Sequence, residues 1–153
     1  MIYTAPCKIN IGLNVIRRRP DGYHDIETAM VAVPDLCDSV EVLERPDGVV
    51  ELSCGGIAVD CPSDDNLALR AYRAVAGEYS IGGAFIHLHK RVPFGAGLGG
   101  GSSDAMTVIR AISDHYGLGL SAGKMASIGA TIGSDTPFFA YDTPMICSGR
   151  GEI

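Results

Sequence analysis

No stretch of the sequence approaches 18 uninterrupted apolar residues, so nothing in it reads as a membrane-crossing helix. The opening MIYTAPCKINIGLNV carries Lys8, Asn10 and Asn14 among its apolar residues and lacks the apolar centre of a secretory signal. No membrane partner is therefore expected. A sustained basic cluster is also missing, and the formal charge is -6 over 153 residues. That removes the electrostatic footprint by which proteins grip a nucleic-acid backbone, so no nucleic-acid partner is expected either. The cysteines Cys7, Cys37, Cys54, Cys61 and Cys147 form an odd set without a C-x-x-C pair. Such spacing suits reduced thiols in the cytoplasm better than disulfides or zinc. The sequence shows neither an internal repeat nor a linker.

What is present is globular. Hydrophobic residues make up 46% and charged residues 20%, which argues against disorder. The length suits one domain that buries roughly 68 to 70% of its unfolded surface. An acidic chain that binds an acidic ligand must do so locally, with backbone N–H groups, a few cations and a metal ion.

The first strand alternates, with Ile9, Ile11, Leu13 and Val15 on one face and Lys8, Asn10, Gly12 and Asn14 on the other. Turn chemistry follows at Arg19-Pro20-Asp21-Gly22 and presents Tyr23 and His24. Residues 39–43 and 49–54 read as strands around the turn Pro46-Asp47-Gly48, and an antiparallel hairpin is the simplest connection. From Asn66 the residues Ala68, Tyr72, Val75 and Tyr79 fall at helical spacing, with cap candidates from Ser63 to Asn66. Residues 84–90 read as a strand, 93–101 as a glycine loop and 103–116 as a helix closed by Gly117. A shorter helix starts at Ser121, and Gly133-Ser134-Asp135-Thr136-Pro137 forms a turn before an apolar run. Hairpins interleaved with helices, without regular βαβ alternation, predict an α+β domain with helices on one face of a largely antiparallel sheet.

Seven of the nine positions from 95 to 103 are glycine or serine, directly before an amphipathic helix. Glycines let a backbone fold around an anion with its N–H groups inward, and a helix start adds unpaired donors and the positive end of a dipole. Phosphate is the natural ligand. Ser102 and Ser103 offer hydroxyls to phosphate or magnesium, and Asp104 caps the helix or assists the metal. Gly95-Ala96-Gly97-Leu98-Gly99-Gly100 also matches the G-x-G-x-x-G of dinucleotide sites. A Rossmann unit, however, needs an acidic residue ending the next strand, and the nearest candidate, Asp114, lies in a predicted helix. The Walker pattern fails because no lysine precedes Ser102. A flexible hinge is the bland alternative.

The run Pro93-Phe94-Gly95-Ala96-Gly97-Leu98-Gly99-Gly100-Gly101-Ser102-Ser103-Asp104-Ala105 resembles the phosphate loop of the GHMP small-molecule kinases. Within that superfamily, Lys8-Ile9-Asn10, Arg19-Pro20-Asp21-Gly22-Tyr23-His24 and Asp135-Thr136-Pro137-Phe138-Phe139 resemble the branch acting on a cytidine-diphosphate-linked methylerythritol. The resemblance implies an ATP-dependent, magnesium-assisted phosphorylation of a small alcohol in non-mevalonate isoprenoid synthesis. Lys8 and Asp135 would be the catalytic pair, with Asp135 as the base. ATP would be held by the loop from Pro93 to Ser103 with Asn66 and Lys90, and Ser102 would serve the metal. Asn10, Tyr23 and His24 would bind the substrate. Residues 1–153 would be the N-terminal, ATP-binding domain, and the family's C-terminal domain would lie outside this sequence.

Without that resemblance, Asp135 reads as a turn or cap residue and Lys8 as a solvated strand lysine. Tyr23 and His24 then read as an ordinary loop tip. His87 and His89 share a strand face without a third metal ligand, and Arg17, Arg18 and Arg19 read as a solvated run. Ser134 and Thr136 stand where the family more often has alanine and valine. Rival readings are a GHMP kinase for a sugar, homoserine or mevalonate, and a nucleotide-binding domain without turnover. Monomer and homodimer are both compatible with the sequence.

Overall fold

The alternating N-terminal segment forms one strand, β1 (Ile2–Arg18), which turns back into β2 (His24–Arg45) as a long antiparallel arm. These features come from a computed structural model that describes residues 1–149 apart from Asp21, Asp60 and Asp142. Asp21 of the expected turn, and the terminal residues 150–153, thus lie outside the described residues. The turn itself closes through Gly22 N–H to Arg19 C=O (3.2 Å) and Arg19 N–H to Tyr23 C=O (2.8 Å), with Gly22 at φ 87. The alternation along β1 does not run unbroken. Gly12 adopts φ 65 and the register slips between Ile11 and Asn14, a bulge only glycine enters without strain. Ile9 and Ile11 face outward, 42% and 56% exposed, while Lys8 on the opposite face is buried.

The expected hairpin between 39–43 and 49–54 does not form. β3 (Val50–Gly56) follows the turn as expected but pairs in parallel with β4 (Gly83–Lys90), and β4 lies between it and β2. The reason is close approach at Gly83. A Cβ there would lie 2.5 Å from Val49 O, so the turn wraps over the start of β4 rather than doubling back on β2. The sheet order is β1-β2-β4-β3, and β5 (Met145–Cys147) pairs with β2. One βαβ unit, through α1 (Leu67–Glu78), thus sits in an otherwise antiparallel sheet. The α+β class holds.

Three helices cover one face. Asn66 caps α1 by accepting the Ala68 N–H at 3.0 Å, and Ser121 caps α3 (Ala122–Ala130) by accepting from Lys124 at 3.2 Å. The central helix, α2 (Gly100–His115), lays Ala105, Val108, Ile109 and Ile112 on Met30, Val40, Ile86 and Leu88 of the sheet, all 1% exposed or less. Each large apolar side chain buried there contributes about 1.5 to 3 kcal/mol. Strand β4 lies inside the sheet, between β2 and β3, and α2 is the centre of the helical layer. The glycine loop that joins them therefore has both ends rooted in the core.

Candidate active site

Helix α2 starts three residues earlier than the sequence predicts, at Gly100, so Gly100, Gly101 and Ser102 form its first turn rather than the end of the loop. Gly99 precedes them at φ 68, and no side chain caps this terminus. Its N–H groups are thus left for an external acceptor. Residues 92–102 enclose a cavity of about 200 Å³, joined through Leu67, Lys90, Phe94 and Gly101 to a second of about 280 Å³ lined by Asn66, Val59 and Cys61. One room is walled by the loop, and the other by Val59, Cys61 and residues 65–67 with Lys90, Phe94 and the start of α2. A polyanion attached to a flat apolar group would fill both.

Beside the loop stand Lys8 and Asp135, with Lys8 Nζ 3.1 Å from Asp135 Oδ2. Three segments hold them there. The Lys8 N–H donates to Leu98 C=O at 2.8 Å, fastening β1 to the loop. A Cβ on Gly99 would lie 3.0 Å from Lys8 Cγ and 3.2 Å from Phe139 Cζ, so glycine is what lets the loop lie against both side chains. A Cβ on Gly133 would lie 3.6 Å from Ser102 Oγ, which brings the turn before Asp135 against the start of α2. Lys8 is 5% exposed and donates to Asn10 Oδ1 at 2.5 Å, and Asn10 donates in turn to Thr28 Oγ1 at 3.1 Å. Lys8 is therefore not a solvated strand lysine. Nor is Asp135 a cap, since its side chain makes no capping bond to the 3-10 turn Thr136–Ala140 and is 27% exposed. A buried ammonium beside a reachable carboxylate is an arrangement for taking a proton from a hydroxyl and steadying the alkoxide left behind.

The remaining expected residues divide. Pro93, Phe94, Gly95, Ala96, Gly97, Leu98, Gly99, Gly100, Gly101 and Ser102 line the loop cavity, and Asn66 and Lys90 line its neighbour. Ser103 does not reach the cradle. It is fully buried and lines a separate small cavity with Thr107, Arg110 and Phe138, because a helix that starts at Gly100 turns its fourth residue inward. Asp104 is not a cap, because it lies one position deeper still in α2 and bonds Lys90 Nζ at 2.5 Å. Tyr23 and His24 are exposed at the tip of the β1–β2 arm, ten residues along β1 from the level of Lys8. A straight strand of that length reaches roughly 33 Å, and the bulges at 11–14 and 15–17 bend it. Thr136 is buried, with its methyl 2.9 Å from where a Cβ on Gly129 would lie, so the threonine in this turn is a packing residue.

One constellation was missed from sequence. Lys90 turns inward, 4% exposed, between Asp38 Oδ2 and Asp104 Oδ2, each at 2.5 Å. Asp38 is fully buried, and its only sequence signal was a carboxylate set among the apolar residues of a strand. His87 and His89 flank Gly55 on the outer sheet face, and among the described residues no cluster of three or more His, Cys, Asp or Glu forms a metal site.

The family model for the GHMP kinases N terminal domain matches residues 66–143, the stretch that runs from the α1 cap through the loop to the turn of Asp135. The chain belongs to the GHMP kinase N-terminal domain family. Among GHMP kinase relatives, the chain is 42% identical to a 4-diphosphocytidyl-2-C-methyl-D-erythritol kinase of Parabacteroides distasonis, over 99% of this chain and 55% of that protein. It is 44% identical to the enzyme of the same name from Salinibacter ruber, over 97% of this chain and 51% of that protein. The chain thus spans about half the length of the curated relatives it matches. A crystal structure of 4-(cytidine 5'-diphospho)-2C-methyl-D-erythritol kinase superposes with TM-score 0.77 at 37% identity, over 99% of this chain and 53% of that one. The Methanococcus jannaschii mevalonate kinase superposes at TM-score 0.74 with 19% identity, over 98% of this chain and 54% of that one, and shares the GHMP fold.

Proposed function

We propose that this chain is the ATP-binding part of a kinase that phosphorylates the 2-hydroxyl of 4-diphosphocytidyl-2-C-methyl-D-erythritol. The observation that carries the reading is the Lys8–Asp135 pair at 3.1 Å, seated against a glycine loop that runs into an uncapped helix start. The names of relatives about 40% identical over nearly the whole chain support this substrate over mevalonate, homoserine or a sugar. Tyr23 and His24 suit a pyrimidine, since a ring face stacks on a base while imidazole bonds its edge. Five free thiols fit the cytoplasm.

In this reading Asp135 accepts the proton of the attacking hydroxyl while Lys8, held in place by Asn10, steadies the alkoxide that forms. The hydroxyl oxygen forms its bond to the γ-phosphorus as the bond to the ADP oxygen breaks. The loop N–H groups and the start of α2 carry the charge on the phosphates. Magnesium fits the donor set. It takes few protein ligands and several from phosphate and water, and Ser102, at the first turn of α2 and lining the loop cavity, would supply a hydroxyl oxygen. When bound it neutralises phosphate charge.

A positioned base contributes about 10² to 10⁴ in rate. In the full-length protein, Asp135→Ala is expected to cut substrate-dependent ADP release by at least 10²-fold while ATP affinity stays within about threefold. Mevalonate, homoserine and galactose serve as control substrates. Turnover retained by the variant would remove Asp135 from the mechanism, and ADP release with a control alone would replace the substrate.

A further inference from the structure

Gly95 and Gly97 adopt φ 71 and 73, which glycine takes about as readily as negative φ, and a Cβ at either position would meet nothing within 4 Å. The Lys8 N–H to Leu98 C=O bond ties the far side of the loop to β1. The near side and the exit converge on one carboxylate. Asp38 Oδ1 accepts the N–H of Arg91 at 2.5 Å and of Val92 at 2.8 Å, the first two residues after β4. Its Oδ2 accepts Lys90 Nζ, which also reaches Asp104 in α2. The same Oδ2 lies 3.4 Å from where a Cβ on Gly100 would stand, and Val92 Cγ1 lies 2.9 Å from that point. Asp38 thus bonds the residues that enter the loop directly and is linked through Lys90 to the helix that leaves it.

The sheet is built to deliver it. Val33 and Cys37 of β2 face the consecutive residues Cys7 and Pro6, which leaves 34–36 as a bulge just before Asp38. The last β2–β4 pair is Ser39 with His89, so Asp38 stands one step beyond the ladder, level with Lys90. Bulges serve to re-aim a side chain. Only a carboxylate has acceptor sites for three donors at once without adding a donor of its own.

We propose that Asp38 is a positioning residue for the nucleotide, acting through the glycine loop by holding its entry and exit at fixed separation. This rests on the reading of the loop as an ATP cradle. The test compares Asp38→Ala and Asp38→Asn with the unsubstituted full-length protein, by direct ATP binding and by KM for both substrates. Asp38→Ala is expected to raise Kd and KM for ATP at least tenfold, to leave KM for the alcohol substrate within twofold, and to speed hydrogen exchange at the amides of residues 91, 92 and 94–99. Asp38→Asn keeps an acceptor for Arg91 and Val92 but loses the charge facing Lys90. It is expected to show a smaller shift in the same direction, and it carries the test if the alanine variant does not fold.

A purely structural role would lower the active fraction and leave both KM values alone, which overturns the proposal. Failure of both variants to fold overturns it as well, as does an unchanged ATP KM in a folded variant. No ATP binding by the unsubstituted protein would overturn the nucleotide reading itself, whereas normal binding with unaffected variants overturns only the positioning role.

Discussion

Asp104 sits in the first turns of α2, 3% exposed, with one oxygen on Lys90 and the other without a hydrogen-bond partner among the described residues. Burial pushes its carboxyl up to about 7 from 3.8, and Lys90 opposes that only in part. The charged groups facing it are Lys90 from β4 and Asp38 from β2, with the Cys54 thiol of β3 close enough to feel its charge. Because the folded carboxyl holds its proton more tightly than the unfolded one, its contribution to stability is complete below about pH 4 and is lost as pH rises toward 7. Asp104→Asn removes that slope. The variant is therefore expected to gain stability relative to the parent protein as pH goes from 4.5 to 8. The gain is at most about 1.4 kcal/mol for each tenfold difference in proton affinity between the folded and unfolded carboxyl. Urea unfolding of both proteins across that range measures it, and parallel stability curves would show that Asp104 titrates normally. Asp38 lies just before the strand predicted at 39–43, Asp104 reads as a cap or metal residue and Lys90 as an ATP contact, and only the topology brings the three together. The Lys8–Asp135 pair was legible only through family resemblance, because residues 127 positions apart carry no local signal of contact.

Gly97 and Gly99 have nearly the same conformation, φ 73 and φ 68, and opposite surroundings. Alanine at either position costs about 1 to 2 kcal/mol for a left-handed backbone. At Gly97 the added methyl meets nothing within 4 Å, while at Gly99 it meets Lys8 Cγ, Lys8 Cε at 3.1 Å and Phe139. Gly99→Ala is accordingly expected to displace Lys8 from Asp135 and cut turnover by at least about tenfold more than Gly97→Ala, at similar thermal stability. Equal kinetic losses would mean that the loop's flexibility, not its contact with Lys8, limits the reaction. The helices were largely legible because caps and apolar spacing are local, as at Asn66 and Ser121. Strand pairing was not. The turn Pro46-Asp47-Gly48 reverses the chain, but only the tertiary contact between Gly83 and Val49 decides that β3 joins β4 instead of β2.

The five thiols are free and sample distinct parts of the molecule, which makes them reporters of both folding and occupancy. Cys7 and Cys147 are buried, 1% and 3% exposed, and burial pushes both thiols up, so they are expected to react only when the molecule opens. Cys61 is half-buried and lines the larger cavity beside Asn66 and Lys90. Half-buried Cys37 lies on β2 and lines neither cavity of the cleft. If the flat end of a nucleotide occupies the larger cavity, ATP shields Cys61 and leaves Cys37 alone. Alkylation with iodoacetamide followed by mass spectrometry is expected to show Cys61 modification slowed severalfold by saturating ATP, with the Cys37 rate constant. Because the readout needs no turnover, it separates the binding claim from the chemistry. Protection of Cys61 in an inactive Asp135→Ala protein would mean that the cradle and the Lys8–Asp135 pair are independent parts. Equal slowing at Cys37 would instead point to a general tightening of the fold.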